Sequence, residues 1–410
     1  MSSPAEPAAA SVPVLAGAPG AGAPGGFSPP PYPYDRLAAL SELAAAAEGG
    51  MVDLSVGTPG DPPPRAVVAA LASSGTEAGY PASVGSLALR RAAAGWVQRR
   101  FAVTVDPAHI AACVGTKEFV ASAAWYLRLR DPSRDTVLHP AVAYPTYALG
   151  AQLAGCRAVG VPERPDGGLD VDAIDPADAA RAVVLWVNSP ANPTGTVTDL
   201  SAVAAWGRRW QVPVISDECY AEFTWATWPP PTILHHGRRG LLALHSLSKR
   251  SNLAGVRSGF YAGDPDLVHY LSEIRKHAGL MVPGPVQAAS AVAYDDDAHV
   301  EVQRDRYRRR LRVLADALAA VGLPCALPDG GFYLWVAAPP WAHQRGAAEG
   351  RSASWVLTEA LARAGGILAS PGDFYGPAGE GHVRLAVVQP DDRLQLAATR
   401  LGRAGPLQPR

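Results

Sequence analysis

The chain has 410 residues, of which 48% are hydrophobic and 18% charged, with a formal net charge of −1. Such neutrality removes any global electrostatic case for nucleic acid or a membrane surface, and no apolar run approaches the ~20 residues that span a bilayer. The length exceeds what one compact core accommodates, so two domains are expected.

Residues 1–31 are dominated by Ala, Gly, Pro and Ser. That composition cannot bury enough apolar area to order itself, and it lacks the basic and apolar regions of a secretory signal, so a disordered tail is expected. Structure should begin near Tyr32-Pro33-Tyr34, with a helix over 34–47. From Met51 to Pro285 short apolar runs alternate with helical patterns. The expected strands are 110–114, 136–139, 157–161, 182–187, 212–216, 241–245 and 259–262. The expected helices between them are 86–101, 117–130, 145–154, 199–210 and 264–277. This alternation predicts an α/β fold with a mainly parallel seven-stranded sheet covered on both faces, in a large domain over 51–285. Ligands of such sheets bind outside the carboxyl ends of the strands.

Residues 285–322 read as one helical stretch with a break around Asp295-Asp296-Asp297. Arg304, Arg306, Arg308, Arg309, Arg310 and Arg312 crowd its middle. Acidic residues intersperse and no stacking platform accompanies them, so a solvated face is expected rather than a nucleic-acid surface. A strand over 331–337, a helix over 352–364, a strand over 383–388 and a helix over 391–401 follow. With 32–50 they predict a smaller α+β domain over 286–410. Cys113, Cys156, Cys219 and Cys325 are scattered without a CxxC pair, which suggests reduced thiols and a cytoplasmic protein. No histidine spacing suggests a metal site, and His235-His236 reads as a surface pair.

The densest chemistry lies in His245–Gly259, which reads HSLSKRSNLAGVRSG. Lys249 there can form a Schiff base with an aldehyde cofactor. Ser246, Ser248 and Arg257 can hold that cofactor's phosphate. A solvated basic turn is the plain alternative. Asp217 ends a predicted strand and can keep a pyridine nitrogen protonated, or else simply cap a helix. Tyr220, three residues on, can bond a ring 3-oxygen. Asn188 to Gly195 contains two X-Pro bonds, Ser189-Pro190 and Asn192-Pro193, either of which can be cis; this stiff path aims Asn192. Gly115-Thr116-Lys117 opens a helix and offers free N–H groups to an anion. Tyr144 can stack on a ring or fill a core. Arg384, a lone cation in an apolar strand, needs a substrate carboxylate or an internal partner.

From Tyr32 to Leu401 the chain resembles the fold-type I, class I/II aminotransferases. The resemblance rests on Val56-Gly57-Thr58-Pro59, Tyr80 with Gly85, Gly115-Thr116-Lys117, Tyr144, Asn188 to Gly195, Asp217 with Tyr220, Ser246 to Lys249, Arg257 and Arg384. It implies pyridoxal 5′-phosphate as cofactor, carried by Lys249. It pairs Asp217 with the pyridine nitrogen, and Asn192 and Tyr220 with the 3-oxygen, and stacks Tyr144 on the ring. It assigns the phosphate to Gly115, Thr116, Lys117, Ser246, Ser248 and Arg257. Tyr80 would reach the neighbouring subunit's phosphate in a homodimer with shared active sites. Arg384, Asn192 and the Gly57 backbone would bind an α-carboxylate. Amino acids and 2-oxo acids would be the substrates.

His245–Gly255, Arg275–Gly279 and Pro371–Gly379 are similar to the actinobacterial N-succinyldiaminopimelate aminotransferases. That likeness implies amino transfer from N-succinyl-LL-2,6-diaminopimelate to 2-oxoglutarate in lysine biosynthesis. Lys117, Arg250 and Lys276 are candidates for the distal carboxylate. Rival expectations are another amino donor (aspartate, alanine, aromatic) and a cofactor-sensing regulator. The regulator would need a DNA-binding helix-turn-helix, for which the tail is too short and too rich in Pro and Gly.

Overall fold

Seven apolar runs form one sheet in the computed structural model, which describes residues 27–165 and 167–407. The expectation for the tail over residues 1–26 lies outside the described residues. The strand order is Ile110–Cys113, Gly259–Gly263, Leu241–Ser246, Val214–Asp217, Ala182–Asn188, Thr136–Pro140 and Arg157–Val161. Gly259–Gly263 alone runs against its two neighbours, and the other pairings are parallel. The central strands are buried along their whole length, as a sheet covered on both faces requires. Within Ala182–Asn188, Leu185 and Val187 face one core while Val184 and Trp186 face the other.

A second lobe forms around the three-stranded antiparallel sheet of Ser370–Pro371, His382–Ala386 and Tyr333–Ala337. Leu311, Leu314, Leu357, Leu361, Leu394 and Leu401 from the helices Ala298–Ala320, Ala353–Gly365 and Asp391–Ala404 pack into its core. The two-residue strand Val52–Asp53 pairs with Ile367–Leu368 and so belongs to this lobe.

Three local expectations are corrected. Helix Gly284–Asp295, expected in the smaller domain, contributes Ala289, Ala293 and Tyr294 to the first core; its small apolar face packs on helix Leu87–Phe101 rather than on the second lobe. Helices Arg65–Ala72 and Pro340–Glu349 were not expected, because alanine-rich and mixed segments carry little periodicity. The arginines of helix Ala298–Ala320 are not all on a solvated face. Arg310 is 4% exposed and grips Asp61 through both carboxylate oxygens, at 2.6 and 2.9 Å. Arg304 lies over the rings of Trp225 and Trp228, at 5.4 and 4.7 Å. These guanidiniums found partners contributed by distant segments, which no local pattern announces.

Candidate active site

Register brings the candidate residues together. Asn188 pairs with Asp217, Asp217 with Leu244, and Ser246 with Gly259, which in turn pairs with Cys113. The ends of four strands therefore lie side by side at one edge. Because Gly259–Gly263 is reversed, its beginning lies at that same edge, and Arg257 precedes it there. Helix Thr116–Arg130 starts just after strand Ile110–Cys113, presenting its N-terminal amides to the same place.

A cavity of about 380 Å³ opens at this edge. Its walls include Gly57, Thr116, Lys117, Tyr144, Asn188, Asn192, Asp217, Tyr220, Ser246, Ser248, Lys249, Arg257 and Arg384. Gly115 adjoins it: a Cβ there would collide with the Arg257 guanidinium. Tyr80 is elsewhere, fully exposed on this chain. A larger cavity of about 700 Å³, walled by Arg130, Arg134, Arg208 and Arg239 among others, lies at the opposite, amino edge of the sheet. It holds none of the lysine, tyrosine or serine groups described here.

Lys249 occupies the four-residue helix Leu247–Arg250, started by the Ser246 hydroxyl accepting from the Ser248 amide at 3.1 Å. Its ammonium donates to the Gly57 carbonyl. Burial, aided by the cations of Arg384 and Arg257, lowers its pKa to about 8. Asp217 accepts from Tyr147 Oη at 2.8 Å and from the Cys219 amide at 3.2 Å. Burial raises its pKa against those two bonds, and no ion pair among the described residues includes it. The Asn188 amide holds this geometry: Nδ2 donates to the Asp217 carbonyl at 2.8 Å, and Oδ1 accepts from the Asn192 amide at 2.7 Å. Both Ser189-Pro190 and Asn192-Pro193 are cis. Asn192 Oδ1 accepts from Arg384 Nη1 at 2.8 Å. The Arg384 guanidinium also reaches the Ser55 carbonyl and lies 4.2 Å from the centre of the Tyr333 ring. Tyr220 Oη meets Tyr333 Oη at 2.8 Å.

This donor set fits one cofactor class. A buried carboxylate without a cation suits a pyridinium nitrogen. An arginine bonded, among the described residues, to the Ala254 carbonyl alone, and set among three hydroxyls and a helix start, suits a phosphate. A lysine brought near neutrality suits an aldehyde.

The family model for class I and II aminotransferases matches residues 49–401. The chain is a class I/II aminotransferase. Fold-type I, and dependence on pyridoxal 5′-phosphate, come with that membership. The chain is 42% identical over 380 residues to OxyQ, the 4-dedimethylamino-4-oxo-anhydrotetracycline transaminase of Streptomyces rimosus, spanning 91% of this chain and 99% of that one. It is also 42% identical to a probable aminotransferase of Mycobacterium tuberculosis, with 91% and 85% covered. A solved structure of a probable N-succinyldiaminopimelate aminotransferase from Thermus thermophilus superposes with a TM-score of 0.78 at 30% identity, covering 91% and 100%.

Tyr147, Tyr333, Tyr32, Tyr34 and Cys219 also line the site of this aminotransferase and were not singled out as site residues by the sequence. Tyr147 follows Tyr144 by three residues at the start of helix Thr146–Leu153, which is the available signal. Tyr333 carries no local signal, because it enters from the second lobe. Of the three candidates for a distal carboxylate, Lys117 alone lines the cavity. Arg250 is buried in a network of its own. Lys276 is exposed and pairs with Glu273 at 3.8 Å.

Proposed function

We propose that this aminotransferase moves the α-amino group of a donor with a distant second carboxylate, N-succinyl-LL-2,6-diaminopimelate, to 2-oxoglutarate. The supporting observation is a pair of cations on one cavity: Arg384 deep in it and Lys117 at its mouth. Lys117 Nζ lies 4.8 Å from the centre of the Tyr32 ring and 5.9 Å from that of Tyr144, so the amine stands among aromatic walls. Arg384 would take the α-carboxylate as a fork, and Lys117 the far one as a point charge. A panel of amino donors offered with 2-oxoglutarate, read as glutamate formed, tests this reading. Preference for an uncharged or short donor would refute it. Lys117→Gln should raise KM for the succinylated donor about tenfold and leave KM for alanine within about twofold; equal effects would remove Lys117 from substrate recognition.

A second reading is amino transfer to a large cyclic ketone. It is supported by the 42% identity to OxyQ and by the aromatic walls from Tyr32, Tyr34 and Tyr144. The same panel, extended to polycyclic ketone acceptors, separates the two.

In either case the cofactor supplies an electron sink for the donor's Cα electrons. Lys249 would hold it, and once released would carry the proton away from Cα as base and return it as acid. Asp217 would stabilise a protonated ring nitrogen, with Tyr147 and the Cys219 amide fixing its orientation. Asn192, whose oxygen is committed to Arg384, would offer its Nδ2 donor to the 3-oxygen together with Tyr220. Gly115, Thr116, Ser246, Ser248 and Arg257, with the Lys117 amide, would hold the phosphate, and Tyr144 would cover the ring. Asn188 acts one step back, by holding Asp217 and Asn192. Tyr80, fully exposed here, would complete the phosphate site of a second copy in a homodimer; sedimentation as a monomer would remove that role.

A lysine reacts with an aldehyde only as the free amine. With its pKa near 8, about a tenth of Lys249 is neutral at pH 7, and most of it is above pH 9. Capture of pyridoxal 5′-phosphate by cofactor-free protein should therefore accelerate about tenfold between pH 6 and 7 and level off above 8. A rate still climbing through pH 10 would mean an unperturbed lysine.

A further inference from the structure

The three residues after Lys249 all reach the same neighbour. Arg250 is 2% exposed. Its Nε donates to Glu222 Oε1 at 3.2 Å, and its Nη1 to Ser251 Oγ at 3.1 Å and the Ala293 carbonyl at 2.5 Å. Its Nη2 donates to the Asp296 carbonyl and to Asp297 Oδ1, both at 3.1 Å. Ser251 Oγ meets His299 Nε2 at 2.9 Å, and His299 Nδ1 meets Asp296 Oδ2 at 2.9 Å. Asn252, in the left-handed region at φ 56°, donates to Gln303 Oε1 at 3.4 Å.

Ala293 to Gln303 spans the break between helix Gly284–Asp295 and helix Ala298–Ala320. The first helix packs in the sheet's core and the second in the core of the other lobe. The lysine turn is thus fastened to the seam between lobes. The connection also returns to the lysine. Gln303 Nε2 donates to Asp61 Oδ2 at 2.8 Å, Arg310 grips the same carboxylate, and four residues before Asp61 the Gly57 carbonyl accepts from Lys249. On its other side Arg250 shares Glu222 with Trp96 Nε1, at 2.6 Å, and with Arg100, at 2.9 Å. Glu222 follows Tyr220 by two residues, so the segment bearing Asp217 and Tyr220 is tied in as well.

Burying a guanidinium so completely gains little stability over a packed apolar side chain. What it does provide is direction: five donors in a rigid fork fix one arrangement of their acceptors.

We propose that Arg250, with Ser251 and Asn252 in support, is a positioning residue that sets Lys249 in place against the inter-lobe seam. It does not line the cavity and so acts through Lys249 rather than on substrate. The inference rests on Lys249 holding the cofactor, and the test keeps the two apart.

Arg250→Lys keeps the charge and loses the fork. Reconstituted with pyridoxal 5′-phosphate, it should retain the visible absorbance of lysine-bound cofactor, but that absorbance should titrate at a shifted pH. Its kcat should fall about tenfold or more with KM for the donor within about twofold. In the cofactor-free protein, hydrogen exchange over 247–252 should quicken. Faster exchange with unchanged kcat and unchanged titration would make Arg250 structural only and overturn the proposal. Should Arg250→Lys fail to fold, Ser251→Ala removes a single hydroxyl from the same linkage. It should lower kcat about threefold with the same shift in titration, and wild-type values in both would overturn the proposal equally. Absence of the absorbance in the unaltered protein would instead refute Lys249 as the attachment point.

Discussion

Lys249→Ala is expected to lower turnover with every amino donor by about 10⁴-fold or more. It should also erase the visible absorbance of lysine-bound pyridoxal 5′-phosphate. The size of the effect follows from how little else in the cavity can substitute. Asp217, Tyr220 and Tyr144 all line the same space, yet Asp217 is committed to Tyr147 and the Cys219 amide, and burial holds both tyrosine hydroxyls above their ordinary pKa values, so they stay protonated and cannot take a proton. Lys117, the other amine of the cavity, stands among Tyr32 and Tyr144 at its mouth. The cofactor should still bind to the variant, because Arg257, Ser246 and Ser248 are untouched. Equilibrium dialysis should recover it without a covalent bond. Retained turnover and retained absorbance together would move the attachment point to another residue.

Asp217→Asn carries the second largest effect. The substitution preserves shape and leaves an oxygen for the Cys219 amide, now at 3.2 Å. It removes the charge that a protonated ring nitrogen requires, in a buried site where electrostatic interactions are strong. We expect kcat to fall about 10²–10³-fold, with cofactor content and absorbance preserved. Tyr147→Phe deletes one of the two bonds to that carboxylate, and a bond to a charged group is worth about 1.5–3 kcal/mol. Its effect should therefore be smaller and in the same direction. If Asp217→Asn matched the unaltered enzyme, the ring nitrogen would not depend on this carboxylate.

The elements that position the site were legible because strand and helix periods alternate along 110–263, and each chemical residue follows or ends an apolar run. Asp217 at the end of Val214–Asp217, and Lys249 just after Leu241–Ser246, stand where a parallel sheet delivers its ligands. What the chain did not announce were the partners met across long distances in sequence. Arg250 reads in the sequence as a candidate for a distal carboxylate, and only the fold shows Glu222, Ala293 and Asp297 around it. Arg310 reads as one of a row of surface arginines until Asp61 arrives from the other end of the chain. Tyr333 carries no local signal for the same reason, and Tyr147 only its spacing from Tyr144: an aromatic in a core and an aromatic beside a buried carboxylate look alike in a local window. The break between helix Gly284–Asp295 and the next is legible in Asp295-Asp296-Asp297, but the core each half enters depends on faces met only in the fold.

The reversed strand Gly259–Gly263 makes Lys249 and Arg257 two points on a single hairpin-like excursion of the first lobe. The residue that would hold the aldehyde and the one that would grip the phosphate are therefore carried by one rigid piece of backbone. Arg384, which would hold the α-carboxylate, is mounted on strand His382–Ala386 of the other lobe. A rotation between lobes would swing Arg384 relative to that hairpin and change the angle at which the amino acid is presented, working against the contacts of Ser251 with His299 and of Asn252 with Gln303.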